Sequence, residues 1–223
     1  MKNQFDNPAV VDPDHTLPLP LAWEDLPPPQ PNLTCKGLGP IPTEADCLAL
    51  WDYYSMPTHI REHSTLVADY SMYLGKALVD RGLKIDLPAL YASALLHDIA
   101  KLHCINHGGS HAQVGAAWVV QKTGLPLIAQ GVLHHVYWPW KICFKSWPLP
   151  LIIEYSDKRV KHNELVDMNT RFEDLFDRYG KTERSRKFLV KTQAQGNEME
   201  KQLTEIYKVD IHASFTCSRR LVS

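Results

Sequence analysis

From residue 43 onward, apolar side chains recur at steps of three and four, the spacing that gathers them on one face of a helix. The clearest stripe is Ile60, His63, Val67, Tyr70, Leu74 and Ala77, which predicts a helix over 58–81 with Gly82 as its C-cap. Ahead of it, Thr43-Glu44-Ala45-Asp46 is a capping sequence for a helix to Tyr54, and Pro57 falls at a first helical turn. Asp86-Leu87-Pro88 opens a helix read through Ala100. Further helices are predicted over 110–122, 125–135, 151–162, 166–179 and 184–207, with Gly124 and Gly180 as stops. Residues 139–150 read as an aromatic, proline-containing loop. No stretch shows the period-two alternation of a strand. Counted from the long stripe, this is an all-α bundle of about six to seven helices.

Composition divides the chain. Its 223 residues are 44% hydrophobic and 22% charged, which suits one ordinary domain and excludes a disordered chain, a collagen-like repeat or a disulfide scaffold. Ten of the 16 prolines lie within residues 1–42, a density that forbids helix. The expected organisation is a proline-rich arm over 1–42, a helical domain over 43–208 and a frayed tail over 209–223. The arm reads either as loosely ordered or as docked through Leu17, Leu19, Leu21, Trp23 and Leu26. A net charge of −1 argues against a nucleic-acid or membrane-surface partner, and the basic run from Lys181 to Lys191 reads as a solvated helix face. Five scattered cysteines without a CxxC pair fit a reducing compartment. The polar start and the lack of any apolar run near ~18 residues predict a cytoplasmic protein with no membrane segment.

The candidate chemistry lies in the histidines. There are 11, and six fall between positions 97 and 135. His97-Asp98 follows the apolar run Tyr91-Ala92-Ser93-Ala94-Leu95-Leu96, where a charged group needs a partner or a metal. His63 sits on the apolar stripe, which alone suits a hydrogen-bonded core residue. His111 begins a helix, and His134-His135 ends one. Asp157 follows Leu151-Ile152-Ile153-Glu154-Tyr155-Ser156 and reads either as a ligand or as a paired surface acid. Each appears at the edge of an apolar face directed at one core.

In order and local sequence, these residues resemble the HD superfamily of metal-dependent phosphohydrolases. The resemblance spans residues 57–180. It rests on His59-Ile60-Arg61-Glu62-His63-Ser64, Leu95-Leu96-His97-Asp98-Ile99-Ala100-Lys101, His111-Ala112 with Gly115-Ala116, Leu133-His134-His135, and Ser156-Asp157-Lys158. It implies a helical fold around a metal site. By the resemblance, His63, His97, Asp98 and Asp157 hold a first metal. In two-metal members Asp98 bridges to a second, held here by His111 and His134, with His135 as rival to His134. His103 and His107 are expected in a loop at the rim, with His107 an alternative to His111.

Imidazole and carboxylate ligands suit one or two divalent transition ions (Fe, Mn, Co, Ni or Zn) better than Ca or Mg. Such an ion lowers the pKa of water from about 15.7 towards ~7, and a second ion ~3.5–4 Å away stabilises charge on a phosphoryl oxygen. With Asp98 itself catalytic, Lys101, three residues after it, and Lys158, next to Asp157, are the candidate catalytic cations, with Arg61 and Arg159 as weaker ones. Tyr137-Trp138-Pro139-Trp140, Phe144 and Trp147 either stack a base or plug one end of the bundle. The cyclic-dinucleotide branch carries Gly-Tyr-Pro after its His doublet, where this chain has Tyr137-Trp138-Pro139. The expected substrate is a small-molecule phosphoester or phosphoanhydride, best matched by a nucleotide. Two other readings use the same residues: a di-iron oxygenase on this scaffold, and a non-catalytic metal- or ligand-binding regulatory protein. His15, His59, His103, His162 and His212 are expected to be ordinary.

Overall fold

The computed structural model describes residues 26–212. Among them are nine α-helices: α1 (Glu44–Tyr53), α2 (Thr58–Val79), α3 (Leu87–Leu96), α4 (Lys101–His107), α5 (His111–Thr123), α6 (Pro126–His134), α7 (Pro148–Asp157), α8 (Met168–Tyr179) and α9 (Glu183–Lys201). A π-helical turn, Gln202–Ile206, continues α9. The all-α expectation holds, with more helices than the six to seven expected and one antiparallel hairpin, β1 (Val160–Lys161) with β2 (Glu164–Leu165). No helix among the described residues is long and apolar enough to cross a membrane.

Helix α3 is the axis of the core. From Ala89 to Leu96 all but one of its side chains are buried, and it packs against α1, α2, α6 and α7. Two glycines allow this closeness. A Cβ on Gly75 of α2 would meet Leu90 and Leu87 of α3; one on Gly131 of α6 would meet Ser93 of α3 and Ile153 and Leu149 of α7. The C-termini of α3, α6 and α7 carry candidate ligands.

The differences from expectation have local causes. The helix read through Ala100 stops at Leu96, and 97–100 form a turn closed by Lys101 N–H to Asp98 C=O at 2.9 Å. The C-terminal carbonyls of α3 find other donors: Trp51 Nε1 donates to Leu95 C=O at 2.9 Å, and Ile99 N–H to Leu96 C=O at 3.1 Å. The expected loop after it is the helix α4, so His103 and His107 are helical and exposed, until Gly108 and Gly109 at φ 79° and 94° stop it. Helix α7 starts at Pro148 rather than Leu151, because prolines are tolerated in a first turn whose N–H groups need no partner. It ends at Asp157 rather than His162. The hairpin follows, closed by Val166 N–H to Arg159 C=O at 2.8 Å, and turns at His162 with φ 57°.

Both ends of the described chain are docked. Trp140 Nε1 donates to Leu26 C=O at 2.7 Å and Trp147 Nε1 to Pro29 C=O at 2.9 Å. The end of the proline-rich segment thus lies along the aromatic loop; Leu17, Leu19, Leu21 and Trp23 lie outside the described residues. At the other end, Val209 and Ile211 are buried, and Tyr70 Oη donates to Ile211 C=O at 3.1 Å, so the expected fraying does not begin at 209.

Candidate metal centre

Five helices meet at one point. His63 comes from the second turn of α2, His97 caps α3, Asp98 follows in the turn, His111 opens α5, His135 caps α6 and Asp157 ends α7. Three helix C-termini face this point, and their partial negative charge favours a cation there.

Asp98 organises the cluster. Its Oδ2 lies 3.5 Å from His97 Nε2 and 3.9 Å from His63 Nε2, while its Oδ1 lies 3.4 Å from His111 Nε2 and 3.6 Å from His135 Nε2. Asp157 Oδ1 joins the first side, 2.9 Å from His63 Nε2 and 3.8 Å from His97 Nε2. His111 Nε2 and His135 Nε2 are 3.1 Å apart on the second side. One carboxylate therefore faces two sets of nitrogens, one oxygen to each.

Backbone carbonyls set the rings. His97 Nδ1 donates to Ala94 C=O and His135 Nδ1 to Val132 C=O, each at 2.7 Å and each three residues back in the last helical turn. His63 Nδ1 donates to His162 C=O at 3.2 Å. These bonds fix the tautomers and leave Nε2 as a bare acceptor turned inward. His63 Nε2 then faces a carboxylate oxygen, and two acceptors at 2.9 Å repel unless positive charge lies with them. His97 Nε2 and Asp98 Oδ1 are buried and have no hydrogen-bond partner. Orphaned acceptors converging on carboxylates fit a divalent cation.

Charge states agree. Burial pushes His97 down to about 3, and burial with the neighbouring His135 pushes His111 to about 4. Burial alone would raise Asp98 and Asp157. Lys101 and the imidazoles outweigh it for Asp98, and His63 and Arg171 for Asp157, so both stay well below the usual carboxylate range. Neutral imidazoles and ionised carboxylates are the forms that bind metals.

Residues 60–177 match the HD domain family. The chain belongs to that family. A solved structure, a predicted HD superfamily hydrolase from an uncultured Thermotogales bacterium, is similar at 18% identity with a TM-score of 0.40. The match covers 74% of this chain and 94% of that one. Among curated proteins, none matches. The family match and the His/Asp cluster together support a metal-dependent hydrolase in kind.

The HD cluster takes in His63, His97, Asp98, His111, His135 and Asp157, but not His134. The His134 ring packs edge-on against Trp138 and Trp140, with centroids 5.1 and 5.3 Å away. Consecutive residues at a helix end diverge, and here the second of the doublet turns inward. His107 does not replace His111: it is exposed on α4, its ring 4.7 Å from His103.

The candidate cations also separate. Lys101 Nζ donates to Asp98 Oδ2 at 2.6 Å. Lys158 borders the cleft, but its ammonium is held by Glu154 Oε1 at 2.6 Å and Val136 C=O at 3.2 Å. Arg61 pairs with Asp52, and Arg159 is buried against Tyr155, Tyr70 and Glu200, so neither faces the cluster. Trp138, Trp140, Phe144 and Trp147 do not line the HD cleft, and Trp138 and Phe144 are fully buried, so the loop is a plug.

Two features of the site escaped sequence reasoning. Arg171 and Arg178 of α8 border the HD cleft, and no motif pointed to them beyond their i, i+7 spacing. The carbonyl of His162 orients His63 from the hairpin. A backbone group carries no sequence signature.

Proposed function

We propose that this HD protein is a metal-dependent phosphohydrolase acting on a phosphoester or phosphoanhydride of a nucleotide or related small molecule, in the cytoplasm. The observation that carries the reading is Asp98, whose two oxygens face two separate sets of inward-turned imidazole nitrogens. His63, His97, Asp98 and Asp157 would hold one ion; Asp98, His111 and His135 would hold a second. A bound divalent transition ion supplies Lewis acidity and a hydroxide nucleophile at neutral pH.

The protein's own groups do the rest. Asp98 and Asp157 provide negative charge for the ions, and the carbonyl-tethered rings stay in register without reorganisation. Lys101 is a catalytic cation for a non-bridging phosphoryl oxygen, being partly exposed beside Asp98. Lys158, its charge compensated by Glu154, is not free to act as a second cation.

The test is metal analysis of the purified protein, followed by a phosphoester and nucleotide screen with Mn, Fe, Co or Ni. Metal-dependent phosphate release that Asp98→Ala abolishes together with metal binding is the expected result. Oxygen consumption without phosphate release would favour the oxygenase reading. Metal binding with no turnover at all would favour a regulatory role.

A further inference from the structure

The cleft over the cluster has two unlike walls. It is a cavity of about 260 Å³ with Asp98, His111, His135 and Asp157 at one end. A second cleft of about 230 Å³ reaches the cluster from the His63 side. Arg171 and Arg178 border both, so they stand between the two openings.

Their donors are incompletely used. Arg171 has a side chain 8% exposed, and its Nε has no hydrogen-bond partner. Its Nη atoms make long contacts, 3.4 Å to Asp174 and 3.9 Å to Asp157. Arg178 reaches Asp174 at 3.5 Å and donates to Tyr179 Oη at 2.8 Å. Asp174, one helical turn from each, holds both guanidinium groups on the face of α8 turned to the cluster. A guanidinium fork matches the spacing of two phosphoryl oxygens, which makes this pair an anion receiver.

Lys101 and Lys158 add charge near the cluster, whereas the wall between α8 and α9 is largely apolar. Phe172 and Leu175 of α8 face Phe188 and Leu189 of α9. The hydroxyls on this wall are engaged: Thr192 Oγ1 donates to Leu189 C=O at 3.0 Å and Ser185 Oγ to Thr182 C=O at 2.9 Å. No amide or carboxylate side chain stands there to read a sugar or a base edge.

We propose that Arg171 and Arg178 receive the phosphoryl group and that the α8–α9 wall receives an apolar organic portion, making the substrate an alkyl or aryl phosphate. This rests on the phosphohydrolase reading and, within it, favours a small apolar phosphoester over a nucleotide.

The probes are methylphosphonate and benzylphosphonate, which share a head group and resist hydrolysis. Calorimetry on the Mn-loaded protein is expected to give at least tenfold tighter binding of benzylphosphonate. Arg178→Gln is expected to weaken both ligands about tenfold or more with metal content unchanged. Arg171→Gln is expected to do the same, but Arg178, 40% exposed, is the safer substitution for folding. Phe188→Ala is expected to reduce the preference for benzylphosphonate. Equal binding of the two phosphonates, or binding indifferent to Arg178→Gln, overturns the proposal while leaving phosphohydrolysis standing. No phosphonate binding together with no phosphoester turnover overturns both.

Discussion

Lys101→Met separates the two positive partners available to Asp98. Lys101 Nζ lies 2.6 Å from Asp98 Oδ2, with the aspartate side chain 1% exposed and the lysine 29%. Removing the ammonium leaves a buried carboxylate among neutral imidazoles. Breaking a buried pair costs about 3–5 kcal/mol. Partial exposure of Lys101 screens the pair and brings the expected loss to about 2–3 kcal/mol. In a domain of this size that lowers Tm by roughly 4–12 °C. A divalent ion on the same carboxylate reverses the sign, because it no longer competes with the ammonium. The variant is expected to bind Mn about 30–150-fold more tightly than the parent, if the lost pairing energy returns to the ion. Thermal unfolding in chelator and in excess Mn, with calorimetric Kd values, measures both effects. The destabilisation should be full in chelator and small in Mn. Equal destabilisation in both, with no gain in Mn affinity, would falsify the sharing of Asp98 between Lys101 and a metal.

His135→Ala and His111→Ala should each lower bound metal from about two ions per chain to about one, whereas His134→Ala should spare metal content; elemental analysis decides. His134 itself gives a pH signature. Burial pushes it down to about 4 in the folded protein, while the unfolded chain protonates near 6.5. The unfolded state therefore gains protons first, and stability falls as pH drops from about 6.5 towards 4, by about 2 kcal/mol at pH 5 from this residue. Urea unfolding of metal-free His134→Phe should show a shallower acid slope than the parent, and an identical slope would refute the attribution. Gly131→Ala should destabilise by about 1–3 kcal/mol through contact with Ser93, Ile153 and Leu149, read from the urea midpoint. Wild-type stability there would mean α6 has room to move.

Much of the helical layout was legible because it depends on local rules. The stripe from Ile60 to Ala77 became α2, and the Thr43/Asp46 capping box opens α1. Boundaries failed where long-range bonds decide them. The α3 stop at Leu96 depends partly on Trp51 reaching a carbonyl from another helix. The β1–β2 hairpin took residues whose local pattern reads as helix, since Arg159 and Val166 close it from both sides.

By itself, the sequence determined the class of fold and the inventory of metal-binding groups, because helical periodicity and the order of His and Asp residues are properties of the chain alone. Only the tertiary structure decided between His134 and His135, moved Lys158 onto Glu154, and brought Arg171 and Arg178 to the cleft. The direction of a side chain at a helix end depends on which carbonyl is free and which helix lies opposite, and neither is set until the helices pack.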